Sequence, residues 1–493
     1  RSDLSNLGYR MTDKIDLDVE FTPSGRKLRG VEEWQAMGLP VSTVSTSSAR
    51  LLDLSLEMVL GVYGTPYETA MAAAEEDEDF ALPVCVLLWL RVLGTSGKLE
   101  DDAILELVKR METAASSREH NERERAIVAA ISEMARGRLE EAIDVLETAT
   151  VLYPQDAMLV KLANDLCYFL GQSVRMRDLN ARVLPYMTEA TPMSNYVYGM
   201  MAFTSEESAD YETAVTYGQK ALGVYSKDPW AIHALAHVHE MKGTHSECVE
   251  FLQSTKQDWD TSNLACHCYW HWGLCLLELG NKDDAMAMFD QNIAGYIGPG
   301  GVFALVDSSQ YLQRMELEDI DVGRRWQKII QPLYELREHH RLAFNDMHIA
   351  LASAASDKAS LREGVLSCMR DFLSENSKAK DTTSYGVLSK IGIPILSAVL
   401  AYRDGKYDEC ATLLLSKRYQ FHLLGGSGAQ RDILTLMLIH SCIKAGGKFH
   451  SKLGRQLVHE RLMTKKASKM SVRLLAAAES KDVGLSSPST GKI

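Results

Sequence analysis

Two short stretches hold most of the side chains that could do chemistry. One carries His233, His237 and Glu240, and the other carries His267, Trp270, His271 and Glu278. On a helix, at about 100° per residue, His233, His237 and Glu240 lie at about 0°, 40° and −20°, one narrow stripe. His267, His271 and Glu278 lie at about 0°, 40° and 20° on the other. Neutral imidazoles and carboxylates ligate Zn²⁺ at about 2.0–2.2 Å, and an i, i+4 histidine pair can share one ion. The metal set this spacing suggests is His237, Glu240, His267 and His271, with Zn as the ion. A catalytic site would keep one position for water. The HExxH arrangement of metalloproteases is missing. The same residues also suit a polar ligand-binding patch or a buried structural network, so three readings stand side by side.

Other phrases hold less. Gly425-Gly426-Ser427-Gly428-Ala429-Gln430-Arg431-Asp432 is a glycine-rich turn leading into a helix. Its backbone N–H groups suit an anion, but no Lys-Ser/Thr follows, so it is not a phosphate loop. Ser427 is expected as the helix cap, and Arg431 is expected to pair with an acidic groove residue or a ligand carboxylate. In Phe344-Asn345-Asp346-Met347-His348, Asp346 and His348 face apart on a helix, and Asn345 or Asp346 is expected to cap it. Cys266 and Cys268 flank His267 but diverge on a helix, so no Cys–His dyad is drawn from them.

These residues need elements to place them, and a repeat supplies the elements. With Gly137 as position 15 of a unit of about 34 residues, Ala142 falls at 20, Ala149 at 27 and Pro154 at 32. Ala202, Ala214 and Ala221 fit positions 8, 20 and 27 of a unit starting at Asn195. Gly243 and Cys248 fit 15 and 20 from Pro229, Gly280 and Ala285 from Cys266, and Gly405 and Cys410 from Ile391. Such helix pairs bury one face only against their neighbours, which predicts an all-α solenoid with a concave groove. The pattern resembles the tetratricopeptide repeat. In that repeat, positions 2, 5, 9, 12 and 13 of the first helix line the groove. His233, His237 and Glu240 occupy 5, 9 and 12, and His267, Trp270 and Glu278 occupy 2, 5 and 13. His271, at 6, falls at the groove's edge.

The chain has 493 residues, 46% hydrophobic and 24% charged, which excludes disorder of the whole. A net charge of −13 repels phosphate backbones, so nucleic acid is not the expected partner. No apolar run approaches the roughly 20 residues that span a bilayer, so no transmembrane segment is expected. The longest run lies around Val84–Leu90. The nine cysteines are thinly spread, none in a CxxC pair, and Cys85, Cys167, Cys248, Cys275 and Cys442, inside apolar helical patterns, read as small buried hydrophobes in a reducing compartment. The start, Arg1-Ser2-Asp3, shows neither a signal pattern nor an initiator Met, so a few residues are expected to precede it. Three regions are expected: an irregular segment over 1–48, the superhelix over 49–478 and a disordered tail over 479–493. Ser42 to Ser48 offers a cap to the helix that follows. Lys448 to Arg473 is basic and is expected to cap the superhelix, with an acidic partner or a membrane surface as the alternative.

Several phrases resemble the tetratricopeptide repeat protein 38 family over roughly residues 30–460. They include Gly38-Leu39-Pro40-Val41-Ser42-Thr43, His237-Val238-His239-Glu240-Met241-Lys242, Cys266-His267-Cys268-Tyr269-Trp270-His271-Trp272, Phe344 to His348 and Gly425 to Asp432. The family usually has Asn or His where this chain has Gly428, so any contact from that side chain is absent here. The resemblance implies a cytosolic helical-repeat protein and supplies no activity. The reading is a binding scaffold whose groove holds a peptide or small polar ligand over His233, His237, Glu240, His267, Trp270, His271, Glu278 and Arg431. The alternative is a metal-dependent, hydrolase-like enzyme on the same cluster.

Overall fold

A computed structural model of the chain describes residues 20–95, 97–99, 101–374 and 377–483. Among these residues 25 α-helices follow one another through short turns, and the only strand-like pairing is a bridge between Phe21 and Lys27. This is the all-α helical-repeat superhelix that the spacing predicts. Helix Thr46–Leu60 starts where the polar run offers a cap, with the Ser45 hydroxyl accepting from the Ser48 N–H. A short helix, Val31–Ala36, precedes it. At the far end helix Lys469–Val483 runs into the stretch read as a tail, and residues 484–493 lie outside the described residues, as do 1–19.

The repeat phase has a visible cause at Gly243 and Gly280, which end their helices at φ 76° and 83°. That left-handed turn favours a residue without Cβ. It lets the Thr244 N–H reach the His239 carbonyl at 3.0 Å and the Asn281 N–H reach the Leu276 carbonyl at 2.9 Å. At Gly243 there is a second reason: a Cβ would lie 2.5 Å from that of Ala467, in the C-terminal hairpin of helices Gly447–Thr464 and Lys469–Val483. Ala142, Ala149, Ala202, Ala214 and Ala221 are all buried, where the register puts close helix approaches.

The superhelix closes on itself. The Arg341 guanidinium donates to the carbonyls of Gly97, Ala135 and Lys98 at 2.9, 2.9 and 3.0 Å. The Gly426 N–H bonds the Tyr168 carbonyl at 3.1 Å, and the Asn263 N–H bonds that of Val62 at 2.8 Å. Residues far apart in sequence therefore meet, and the concave side becomes a chamber instead of the open groove expected.

One count from the sequence is corrected, that no apolar run approaches the length that spans a bilayer. Helix Thr383–Arg403, of 21 residues, holds a window long and apolar enough, by length and composition, to cross a membrane. Counting uninterrupted apolar residues missed it, because Ser389 and Lys390 divide the run. Half of its apolar window is buried within the array, where Leu388, Ile391, Ile395 and Leu396 pack into the core.

Candidate functional site

The histidine helices are held by local features. Helix Pro229–Lys242 opens with Pro229 in its first turn, and Asp228 Oδ1 accepts from the N–H groups of Trp230 and Ala231 at 3.0 and 3.1 Å. Ala231, Ala234 and Ala236 keep its buried side thin. Helix Ala265–Leu279 presses on helix Gly301–Leu317 at Gly273, where a Cβ would meet the Tyr311 ring at 2.2 Å. That approach brings Asp307 beneath His267.

Four imidazoles converge from the two helices. Ring centroids lie 4.5 Å apart for His233–His237, 4.9 Å for His233–His267, 4.2 Å for His237–His271 and 4.8 Å for His267–His271. Each ring offers one nitrogen to a group whose atoms all lie within 4.8 Å of one another, and all four side chains are buried. His233, His237, His267 and His271 thus form a group with metal-ligand chemistry. Glu206, Glu207 and His237 form a second group with metal-ligand chemistry.

Carboxylates stand behind the rings. Asp307 accepts from His267 Nδ1 at 2.9 and 3.0 Å, and Glu240 accepts from His271 Nδ1 at 3.1 Å. A carboxylate only accepts, so both Nδ1 atoms carry the hydrogen and both Nε2 atoms carry a lone pair. Glu206 Oε2 lies 3.4 Å from His237 Nδ1. His233 and His237 meet Nε2 to Nε2 at 2.9 Å. His233 Nδ1 and His271 Nε2 are buried with no hydrogen-bond partner. Burial pushes the His233 and His271 rings well below the ordinary imidazole range, helped by the neighbouring rings, and takes His237 to about 4. These imidazoles are neutral at pH 7, the form that ligates metals. Burial, then Glu240, raises Glu206 to about 8, and burial raises Asp307 against the pull of His267.

His233, His237 and His267 line a cavity of about 1030 Å³ together with Tyr168, Phe203, Trp230, Phe303, Asn345 and Ser427. His271 sits behind them. Trp270 does not reach this cavity; it lies flat against His267, centroids 5.0 Å apart and planes 8° from parallel.

Glu240 and Glu278 depart from the groove expected. Both are buried beneath the C-terminal hairpin, which fills that part of the concave face. Lys465 Nζ sits 2.7 Å from Glu240 Oε1, and Arg461 Nη2 sits 3.2 Å from Glu278 Oε1 and 2.7 Å from Asp432 Oδ2. The Ser468 hydroxyl and the Met470 N–H also donate to Glu278, at 2.8 and 3.0 Å. Burial alone would raise Glu240, yet Lys465 and His271 hold it well below the carboxylate range; Arg461 and Lys465 lower Glu278 against the same burial. Glu240 therefore accepts from His271 from behind, and the four-residue group that converges contains His233 and not Glu240. The acidic partner of the basic Lys448–Arg473 stretch includes carboxylates of the same chain.

Arg431 has the partners expected in kind: Glu207 Oε2 at 3.3 Å and the carbonyl of Gly426. The glycine-rich turn also meets its anion, since the Gly428 N–H donates to Glu207 at 2.7 Å. Ser427 caps the helix, accepting from the Gln430 N–H at 3.2 Å. Neither Asn345 nor Asp346 caps helix Ala343–Ala354; Asp346 accepts from His340 Nδ1 at 2.6 Å instead. Sequence reasoning missed Asp307, Glu206 and Lys465. Asp307 had a signal, as the lone charge between Gly301 and Gln313, directly after the apolar run from Val302 to Val306.

A family model described as "Anaphase-promoting complex, cyclosome, subunit 3" matches residues 207–292, the stretch that contains both histidine helices. The repeat is of the tetratricopeptide type. Its helix pairs here carry buried imidazoles at positions that line an open groove in the general pattern.

Proposed function

We propose that this protein is a helical-repeat binding scaffold whose chamber takes a small ligand, or the end of a peptide, with an apolar or aromatic body and a polar head. The observation that carries this reading is the joining of three imidazoles to a cavity of about 1030 Å³ whose lining mixes aromatic, aliphatic and polar side chains. Ligand sites of this kind are apolar clefts of several hundred to about 1,000 Å³ with a few convergent polar groups. The matched family's description names a subunit of a complex, and protein partners belong to this proposal on that ground. So does membership of the tetratricopeptide repeat protein 38 family, from the phrases quoted above. A reducing cytosolic setting suits nine cysteines that are all unpaired, eight of them buried.

Titration with the dye anilinonaphthalene sulfonate tests the chamber. The expected result is saturable binding of one dye per folded chain, weakened about tenfold by Thr261→Trp, which adds bulk at an exposed position of the lining. Absence of saturable binding, or indifference to Thr261→Trp with helicity intact, overturns the reading. A second reading, a metal-dependent hydrolase-like enzyme, is favoured by one observation: three of the four converging imidazoles lie on the chamber's wall, where an ion would face its contents.

A further inference from the structure

We propose that His233, His237, His267 and His271 form one transition-metal centre, with Asp307 and Glu240 as its supporting carboxylates. The chamber reading only tells us what a free coordination position would face; metal binding itself is independent of it.

Two of the four tautomers are set by carboxylates. Asp307 and Glu240 fix the hydrogens of His267 and His271 on Nδ1. The Nε2 lone pairs of both rings are thereby turned away from their carboxylates. His271 Nε2 is buried and has no partner. The one bond among the four rings is the Nε2–Nε2 contact of His233 and His237 at 2.9 Å. A structural network would give each buried nitrogen a partner. Here lone pairs gather with too few hydrogens between them, which is the situation a cation relieves. Carboxylate–histidine pairs behind a metal orient the ring and raise its basicity, and two of the four rings have that partner. Glu206, 3.4 Å from His237 Nδ1, is placed to be a third.

The donor set defines the ion. Four neutral nitrogens with no thiolate or carboxylate bound directly suit Zn²⁺, Cu²⁺, Ni²⁺ or Fe²⁺, and do not suit Mg²⁺ or Ca²⁺. Cys266 and Cys268, beside His267, are protonated thiols pushed up by burial. Bonds of about 2.0–2.1 Å in a tetrahedron set nitrogens roughly 3.3 Å apart. The present nitrogens all lie within 4.8 Å of one another, and an ion at their centre would draw them together. Both i, i+4 pairs sit on helices packed into one core, so the four ligands are pre-positioned. With His271 behind and three rings on the chamber wall, a fifth position would open into the chamber.

The test uses the full chain, stripped with a chelator and titrated separately with Zn²⁺, Co²⁺, Ni²⁺, Cu²⁺ and Fe²⁺, under anaerobic conditions for the last. The expected result is one ion per chain, a raised melting temperature that grows with free metal, and visible Co²⁺ bands of nitrogen coordination. His267→Gln with His271→Gln should abolish these bands. Because that double variant risks misfolding, Asp307→Asn supplies the second reading: affinity should fall about 10–100-fold with the helical spectrum unchanged. Failure of all five ions to bind a stripped chain of native helicity overturns the centre. So does binding that Asp307→Asn and the double variant, both folded, leave untouched. Dye binding in the stripped protein separates the outcomes: a chamber that binds dye without any metal-binding capacity sinks this inference and spares the scaffold reading.

Discussion

The two ends of the same pair of helices solve opposite problems. Toward their C-terminal ends, Glu240 and Glu278 are buried carboxylates met by Lys465, Arg461, Ser468 and a backbone N–H. Nearer their N-terminal ends, four imidazoles are equally buried, and His233 Nδ1 and His271 Nε2 have nothing to bond. Both clusters are polar, interior and built from consecutive repeats. The difference is in completeness. Buried polar groups in structural roles are satisfied, because an unpaired one costs about 1–3 kcal/mol. Glu240 and Glu278 obey this rule and fasten the C-terminal hairpin to the array, and the exception beside them is His245, buried with neither ring nitrogen partnered. The histidine end breaks it, and sequences that break a local rule without evident compensation do so mainly at functional sites.

The largest expected effect strikes the carboxylate end. Arg461→Met leaves Asp432 and Glu278 buried without their main cation. Breaking a buried pair from one side costs about 3–5 kcal/mol. Urea unfolding should show a loss of that size, together with exposure of helix Lys469–Val483 to proteolysis. A loss under about 1 kcal/mol would mean that the hairpin is held by its apolar contacts and that the charged cluster is incidental.

The fold was legible in the sequence because glycine and alanine carry the repeat phase, and both act through backbone approach, which a single chain records at fixed spacing. Gly243, Gly280 and Ala214 are examples. The stripe of His233, His237, His267 and His271 was legible for the same reason, since 100° per residue is a local rule. What hides is anything set by a third element. Asp307 reaches His267 from the second helix beyond it, and Lys465 reaches Glu240 from 225 residues away. Their arrival moved Glu240 and Glu278 out of the groove. The open groove was itself a property borrowed from the general repeat, and the C-terminal hairpin that fills it has no local signature beyond its basic charge.

An intermediate effect separates buried acids with cations from those without. Asp432, facing Arg461 and Lys465, is driven below the carboxylate range although burial works against it. Asp228 is as buried, has Oδ1 bonded to two backbone N–H groups and Oδ2 unpartnered, and rises from 3.8 to about 7. An acid whose folded value is raised holds its proton longer in the folded state, so its contribution is full below pH 3.8 and is lost as pH rises toward 7. Asp228→Asn keeps the capping oxygen and removes the ionisation. Relative to the wild type, the variant should gain about 2–4 kcal/mol between pH 4 and pH 8, since each tenfold change in an acid's ionisation constant is worth about 1.4 kcal/mol. Equal unfolding midpoints for the two proteins across that range would show that Asp228 ionises without penalty, and that the unpartnered oxygen is solvated.

The smallest expected effect is the sharpest test of the contrast. His233 packs among Phe203 and Trp230, with centroids 5.6 and 5.1 Å away, and its single ring bond is to His237. Its Nδ1 has no partner to lose. His233→Phe keeps the aromatic packing, removes one unpaired buried nitrogen, and frees His237 Nε2 toward the chamber that His237 already lines. The added volume is slight, and swaps that conserve core volume cost less than about 1.5 kcal/mol. In metal-stripped protein the variant should therefore unfold within about 1 kcal/mol of the wild type, in contrast to Arg461→Met at the other end of the array's inner face. A loss of about 3 kcal/mol or more would show that His233 belongs to a fully bonded network after all. The two clusters would then be alike, and the unpaired nitrogens would no longer point to a function.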